Sequence, residues 1–200
     1  MKFFLYALAV IGLIAPISAN AVEVGATAPD IATTDINGAD FKLSDHKGKI
    51  VVLEWHNPEC PYVIKHYDSK NMQKLQAEVA AMDGVEWVSI NSSATGKQGA
   101  YDAAKIKEYL TAQGASPTTY ITDPTGVLGK AYDAKTTPHM FVIDKDGKVA
   151  YAGAIDDNSS PRASSVEGAT NYVTAAITDL KAGNAVTTAS TRPYGCGVKY

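Results

Sequence analysis

The chain has 200 residues, a net charge of −3 and 46% hydrophobic residues, and its only arginines are Arg162 and Arg192. That balance suits one globular core and, with no basic stripe, excludes nucleic acid as the expected partner. Two cysteines, Cys60 and Cys196, are too few for the disulfide framework of a small secreted domain, so each needs its own explanation.

Met1-Lys2 makes a positive start, Phe3 to Ile17 an apolar run, and Ala19-Asn20-Ala21 an A-x-A cleavage pattern. Residues 1–21 are therefore expected to be a signal peptide cut after Ala21. The chain is expected to be exported, periplasmic or secreted, with no stable membrane insertion after cleavage. Residues 22–184 read as one domain and 185–200 as a C-terminal tail.

Thr33-Thr34-Asp35, the turn signal Asn37-Gly38 and Phe41-Lys42-Leu43 predict a short hairpin. Ile50 to Trp55 is a nearly continuous apolar run, as expected of a strand buried on both faces. From Pro61, apolar residues Val63, Ile64, Tyr67, Met72, Leu75, Val79 and Met82 predict one helix ending near Asp83-Gly84. Val85 to Ile90 reads as a strand, Asp102 to Ala112 as a helix, and Thr119 to Thr122 as a strand. Asp123-Pro124 looks like an N-cap followed by proline at the first helical position. His139 to Asp144 and Lys148 to Ala152 form two strands around Lys145-Asp146-Gly147. Ser164 and Glu167 fit a capping box for a last helix with Tyr172, Val173, Ala176, Ile177 and Leu180 on one face. The order predicts an α/β sandwich with a mixed central sheet flanked by helices.

Cys60 falls between a buried strand and a helix. Free N–H groups and the dipole at a helix start favour a thiolate over a thiol, and Pro61 suits the first helical position. The alternative is a small buried hydrophobe. Glu54, an acid within an apolar strand, is a candidate for moving the thiol proton if burial raises its pKa; alternatively it reaches the sheet end and solvent. His56, His66 and His139 are candidate acid/base or thiolate-stabilising groups, with His139 preferred.

Four segments carry a family resemblance: Gly25-Ala-Thr-Ala-Pro29-Asp30, Gly48-Lys49-Ile-Val-Val-Leu53, Asn57-Pro58-Glu59-Cys60-Pro61-Tyr62-Val63, and Thr137-Pro138-His139-Met-Phe-Val-Ile-Asp144. In order and spacing they resemble the redoxins, meaning the peroxiredoxins of the alkyl hydroperoxide reductase/thiol-specific antioxidant type and the related periplasmic thioredoxins. The resemblance implies a thioredoxin-like fold with Cys60 as the nucleophile. It also implies a cis Pro138 whose loop, with Thr137, lies against that sulfur and positions substrate. Glu54 sits at the offset where thioredoxins carry a buried aspartate. The expected function is thiol-dependent oxidation–reduction of a peroxide or a disulfide, drawing on a reducing thiol partner protein, with no cofactor.

Two departures stand out. Val63 occupies the resolving place of Cys-x-x-Cys, and Leu53 and Asn57 occupy the proline and threonine places of the peroxiredoxin signature. Cys196, in a tail that Gly195 and Gly197 are expected to make locally flexible, is then a candidate resolving cysteine. A permanent Cys60–Cys196 staple, contributing about 4–5 kcal/mol in the chain-entropy model, is an alternative, as are two sulfurs that never meet. Two other functions compete. One is a copper- or zinc-binding module using His56, Cys60 and His66, with His139 nearby; the other is a non-catalytic adaptor acting through the Pro138 face.

Overall fold

The computed structural model describes residues 22–200. The signal-peptide reading of 1–21 lies outside the described residues.

Strands β1 (Ala32–Thr34) and β2 (Asp40–Lys42) pair antiparallel as the expected hairpin. Strand β3 (Ile50–Trp55) is buried along its whole length, as its apolar run requires. It lies between β4 (Val85–Asn91), which it pairs in parallel, and β7 (His139–Ile143), which it pairs antiparallel. β5 (Thr119–Thr122) and β8 (Val149–Gly153) complete a five-stranded mixed sheet in the order β5-β4-β3-β7-β8. Alternation along β3 divides the core into two layers. Ile50 and Val52 pack with the residues of α1 (Pro61–Asp68), α2 (Asn71–Ala80) and α5 (Tyr172–Lys181), among them Val63, Tyr67, Leu75 and Val173. Val51, Leu53 and Trp55 face the other way, onto Ile31, Phe41 and Tyr132. Among the described residues no helix is long and apolar enough to cross a membrane.

Three sequence expectations are corrected. The single helix after Pro61 is two helices, broken at Lys70, whose φ of 61° is left-handed. The apolar positions show why: Tyr67 to Met72 is a five-residue step, which a continuous helix would rotate off the buried face. The break restores it, and Ile64 is left 37% exposed. Asp123-Pro124 does not start a helix; α4 (Val127–Ala131) begins after Gly126. The Asp123 carboxylate instead accepts from Ser92 Oγ at 2.7 Å and the Gly129 amide at 3.0 Å. Ser164 lies in a separate 3-10 turn, and Asn171 caps α5 by accepting from the Thr174 amide at 2.9 Å. The helix at 102–112 is found as α3 (Ala103–Gln113), with Asp102 as its side-chain cap.

Candidate active site

Cys60 ends the loop that follows β3. Within that loop Asn57 is almost fully buried, and its side chain accepts from the Glu59 amide at 2.9 Å and donates to the Gln98 carbonyl at 3.1 Å. Its neighbour Gly99 leaves room for it, since a Cβ there would lie 2.1 Å from Asn57 Oδ1. The loop thus delivers Cys60 to the N-cap of α1 in extended geometry, with Pro61 in the first turn. The Cys60 side chain is fully buried, and its thiol donates to the Thr137 carbonyl at 3.0 Å.

Thr137 belongs to β6 (Thr136–Thr137), and the Thr137–Pro138 peptide bond is cis. β6 pairs antiparallel with β9 (Cys196–Gly197), in a register that sets Cys196 opposite Thr137. Cys196 Sγ then lies 2.7 Å from Cys60 Sγ, with both cysteines free. A bonded pair sits at about 2.05 Å, so the two sulfurs are within a small shift of a bond.

The tail is held, not loose. The Ala152 amide donates to Ala189 O at 3.1 Å and the Thr191 amide to Ala152 O at 3.2 Å. Thr191 Oγ1 contacts Tyr151 Oη at 2.6 Å and accepts from the Ala154 amide at 2.9 Å. Tyr194 Oη donates to Asp156 Oδ1 and lies 3.1 Å from His66 Nε2. Beyond Cys196, Lys199 O accepts from the Ala94 amide at 2.8 Å, and Tyr200 Oη donates to Ala134 O at 3.0 Å. The Tyr200 ring occupies a slot over Gly126 and Gly129, where an added Cβ would meet it at 2.5 Å. Gly195 serves close approach rather than flexibility. It adopts a φ of 145°, and a Cβ there would lie 2.1 Å from Thr137 O.

The other candidates lie around this pair without bonding to it. Glu54 is fully buried and accepts from Ser89 Oγ at 2.7 Å, Trp87 Nε1 at 2.9 Å and Tyr67 Oη at 3.1 Å. Burial raises its pKa against the pull of those donors. It does not reach solvent at the sheet end. His139 Nδ1 accepts from the Lys135 amide at 3.2 Å, and burial lowers its pKa to about 4. His56 contacts Tyr120 Oη at 2.7 Å and His66 contacts Asn71 Nδ2 at 3.0 Å. Burial holds both near 3, with Lys65 adding to the effect at His66. At neutral pH none of the three is a cation available to a thiolate. For Cys196, burial first and then Cys60 push the thiol up to about 11, against the opposing pull of Lys199 and the Tyr62 amide. Among the described residues no group of three His, Cys, Asp or Glu side chains could hold a metal ion.

Sequence reasoning missed Asn57 as the organiser of the loop, and Asp156, Tyr194 and Tyr200 as anchors of the tail. Asp156 carried one signal, an acid directly after the apolar Tyr151 to Ile155. The tyrosines carried none, because their partners lie 38 and 66 residues away.

Residues 24–152 match the model of the AhpC/TSA family. The thiol-disulfide oxidoreductase ResA of Geobacillus kaustophilus is 31% identical over 136 residues, covering 64% of this chain and 68% of the relative. Among solved structures, an uncharacterised conserved protein of Geobacillus kaustophilus superposes with a TM-score of 0.77 at 27% identity, over 90% of this chain and 94% of the other. A candidate thiol:disulfide interchange protein DsbE of Chlorobium tepidum superposes with a TM-score of 0.52 at 29% identity, over 64% of this chain and 83% of the other. On this sequence match and this fold, the chain belongs to the AhpC/TSA family.

Proposed function

We propose that this protein is a thiol–disulfide oxidoreductase whose redox pair is Cys60 and Cys196. The observation that carries the reading is the 2.7 Å separation of two sulfurs 136 residues apart in sequence. Cys196 supplies the second sulfur that Val63 cannot. Cys60 is the nucleophile of the intramolecular step, in which its thiolate displaces a partner's sulfur from Cys196 and closes the disulfide. The Thr137–Pro138 loop positions both sulfurs, Thr137 O accepting from the Cys60 thiol and β6 pairing with the strand that carries Cys196. Opening the disulfide takes two electrons and two protons from a partner dithiol. Peroxide reduction is the weaker reading, because the Cys60 sulfur is fully buried, donates to the Thr137 carbonyl and lies against Cys196. Glu54 and His139 enter as supports of the surrounding strands, since their own hydrogen bonds are made elsewhere. An exported location, suggested by the pattern in residues 1–21, fits a protein that must keep a disulfide.

Insulin reduction or glutathione exchange, measured beside hydrogen peroxide consumption, tests the proposal. Loss of disulfide exchange in both Cys60→Ser and Cys196→Ser, with a Cys60–Cys196 bond mapped in the oxidised protein, is the expected result. Peroxide consumption that survives in Cys196→Ser and dies in Cys60→Ser would assign the site to peroxide instead.

A further inference from the structure

We infer that partners exchange with this protein through Cys196, the sulfur carried on the tail, and that Cys60 never meets a partner directly. The inference rests on the redox pair proposed above and adds its polarity.

A thiolate displaces a disulfide along the S–S axis, arriving at the attacked sulfur from the side opposite its bonded neighbour. For Cys60 that far side is the interior. Its side chain has 0% exposure, sits among Val63, Tyr67, Met140 and Ile155, and is covered outwardly by the Thr137 carbonyl and by Cys196 itself. Cys196 is partly exposed on a two-residue strand that uses one edge to pair with β6. Of the two cysteines, Cys196 alone has any exposure while the tail stays seated. The pins at Thr191, Tyr194 and Tyr200 make that seating the resting arrangement.

The chemistry balances on this route. A partner thiolate bonds to Cys196 Sγ as the Cys60–Cys196 bond breaks, and Cys60 leaves as a thiolate that takes up the proton the partner gave up. A second partner thiol then attacks the partner's sulfur in the mixed disulfide, forming the partner disulfide and releasing Cys196, which takes up a proton. The partner loses two electrons and the protein gains them. In reverse, Cys196 gives up its proton and bonds to one partner sulfur as the partner disulfide breaks, and Cys60, deprotonated in turn, displaces that sulfur from Cys196 as the ring closes.

The test uses the full mature chain, oxidised, with the Cys60–Cys196 bond first confirmed by non-reducing peptide mapping. Reduced glutathione is added and the reaction quenched in acid within milliseconds to seconds, free thiols are capped, and the glutathionylated peptide is identified by mass. Glutathione on the Cys196 peptide in at least about tenfold excess over the Cys60 peptide is expected. Glutathione chiefly on Cys60 overturns the polarity while leaving the redox pair intact; absence of the Cys60–Cys196 bond overturns the redox pair itself. If the mixed disulfide turns over too fast to collect, Cys60→Ser and Cys196→Ser are each reacted with 5,5′-dithiobis(2-nitrobenzoate), folded and in urea. Folding should protect Cys60 at least about tenfold more than Cys196, and equal protection overturns the inference.

Discussion

Cys60 is placed by its own neighbourhood, whereas Cys196 is placed by the rest of the molecule. The loop from Trp55, the buried Asn57 side chain and the start of α1 define one sulfur almost entirely from contiguous sequence. The other depends on contacts with Ala152, Asp156, Lys135, Ala94 and Ala134, each far away along the chain. A locally built position survives most distant substitutions, whereas a position built by long-range pins can be shifted by one of them. The two halves of the site should therefore differ in how they break.

The largest effect removes either sulfur. Cys60→Ser and Cys196→Ser should each lower disulfide-exchange turnover by roughly 1,000-fold or more, and the double variant should be no worse than either single one, because the proposed redox pair needs both sulfurs. Steady-state turnover against insulin measures this; additive losses would mean two independent thiols.

Next comes Gly195→Ala. Its Cβ would enter the space of the Thr137 carbonyl, so β9 must lift from β6. Disulfide formation between Cys60 and Cys196 should slow by about 10- to 100-fold through lost effective concentration, while the melting temperature changes little. Stopped-flow oxidation by diamide reads the first and calorimetry the second. Gly197→Ala is the matched control, because a Cβ there meets nothing within 4 Å.

The local half was legible and the long-range half largely was not. Apolar runs and turn residues specified β3, the hairpins and the strand-to-helix junction, since those signals lie within a few residues of what they determine. Cys196 could be named as a candidate from the missing Cys-x-x-Cys, but its seat on Thr137 was not readable from a tail of Thr, Ala and Ser. The same limit explains the divided helix: the five-residue step from Tyr67 to Met72 was visible, but only packing against the sheet shows that both segments must keep their apolar faces on one core.

Stability should separate from chemistry as the pH falls. His56, His66 and His139 have folded pKa values near 3, 3 and 4, below the ordinary 6.5, so all three are neutral when folded. The unfolded chain takes up protons first. Their contribution is therefore complete above about pH 6.5 and is lost as the pH drops toward 4, by up to about 1.4 kcal/mol per pH unit for each histidine. Urea unfolding at pH 7, 6 and 5 should show this decline. His139→Phe should make it shallower.

A smaller effect is expected at the tail's tyrosine anchor. Tyr194→Phe keeps the ring against Tyr62 and Lys65 but loses the hydroxyl contacts to Asp156 and His66. Loosening by one hydrogen bond to a charged group, about 1.5–3 kcal/mol if fully lost, is shared among several remaining pins. Disulfide formation should slow only a few-fold, with Thr191, β9 and Tyr200 still in place. A loss as large as that of Gly195→Ala would make Tyr194 the principal anchor.

The smallest effect on exchange is expected at Glu54, and it sharpens the comparison because Glu54 belongs to the locally built half. Ser89, Trp87 and Tyr67 all donate to its carboxyl, and its raised folded pKa means that ionisation in the core costs stability as the pH rises above the ordinary carboxyl value. Glu54→Gln removes that ionisation and keeps an acceptor for part of the network. Unfolding free energy should become less dependent on pH above the ordinary carboxyl value. The exchange rate, by contrast, should stay within about threefold of the parent, with its pH profile unmoved, because the Cys60 thiol donates to Thr137 O and has no bond to Glu54. A missing inflection in the pH–rate profile of Glu54→Gln would show instead that protons reach Cys60 from the carboxyl through the core. The locally built half would then supply the proton for exchange as well as the sulfur.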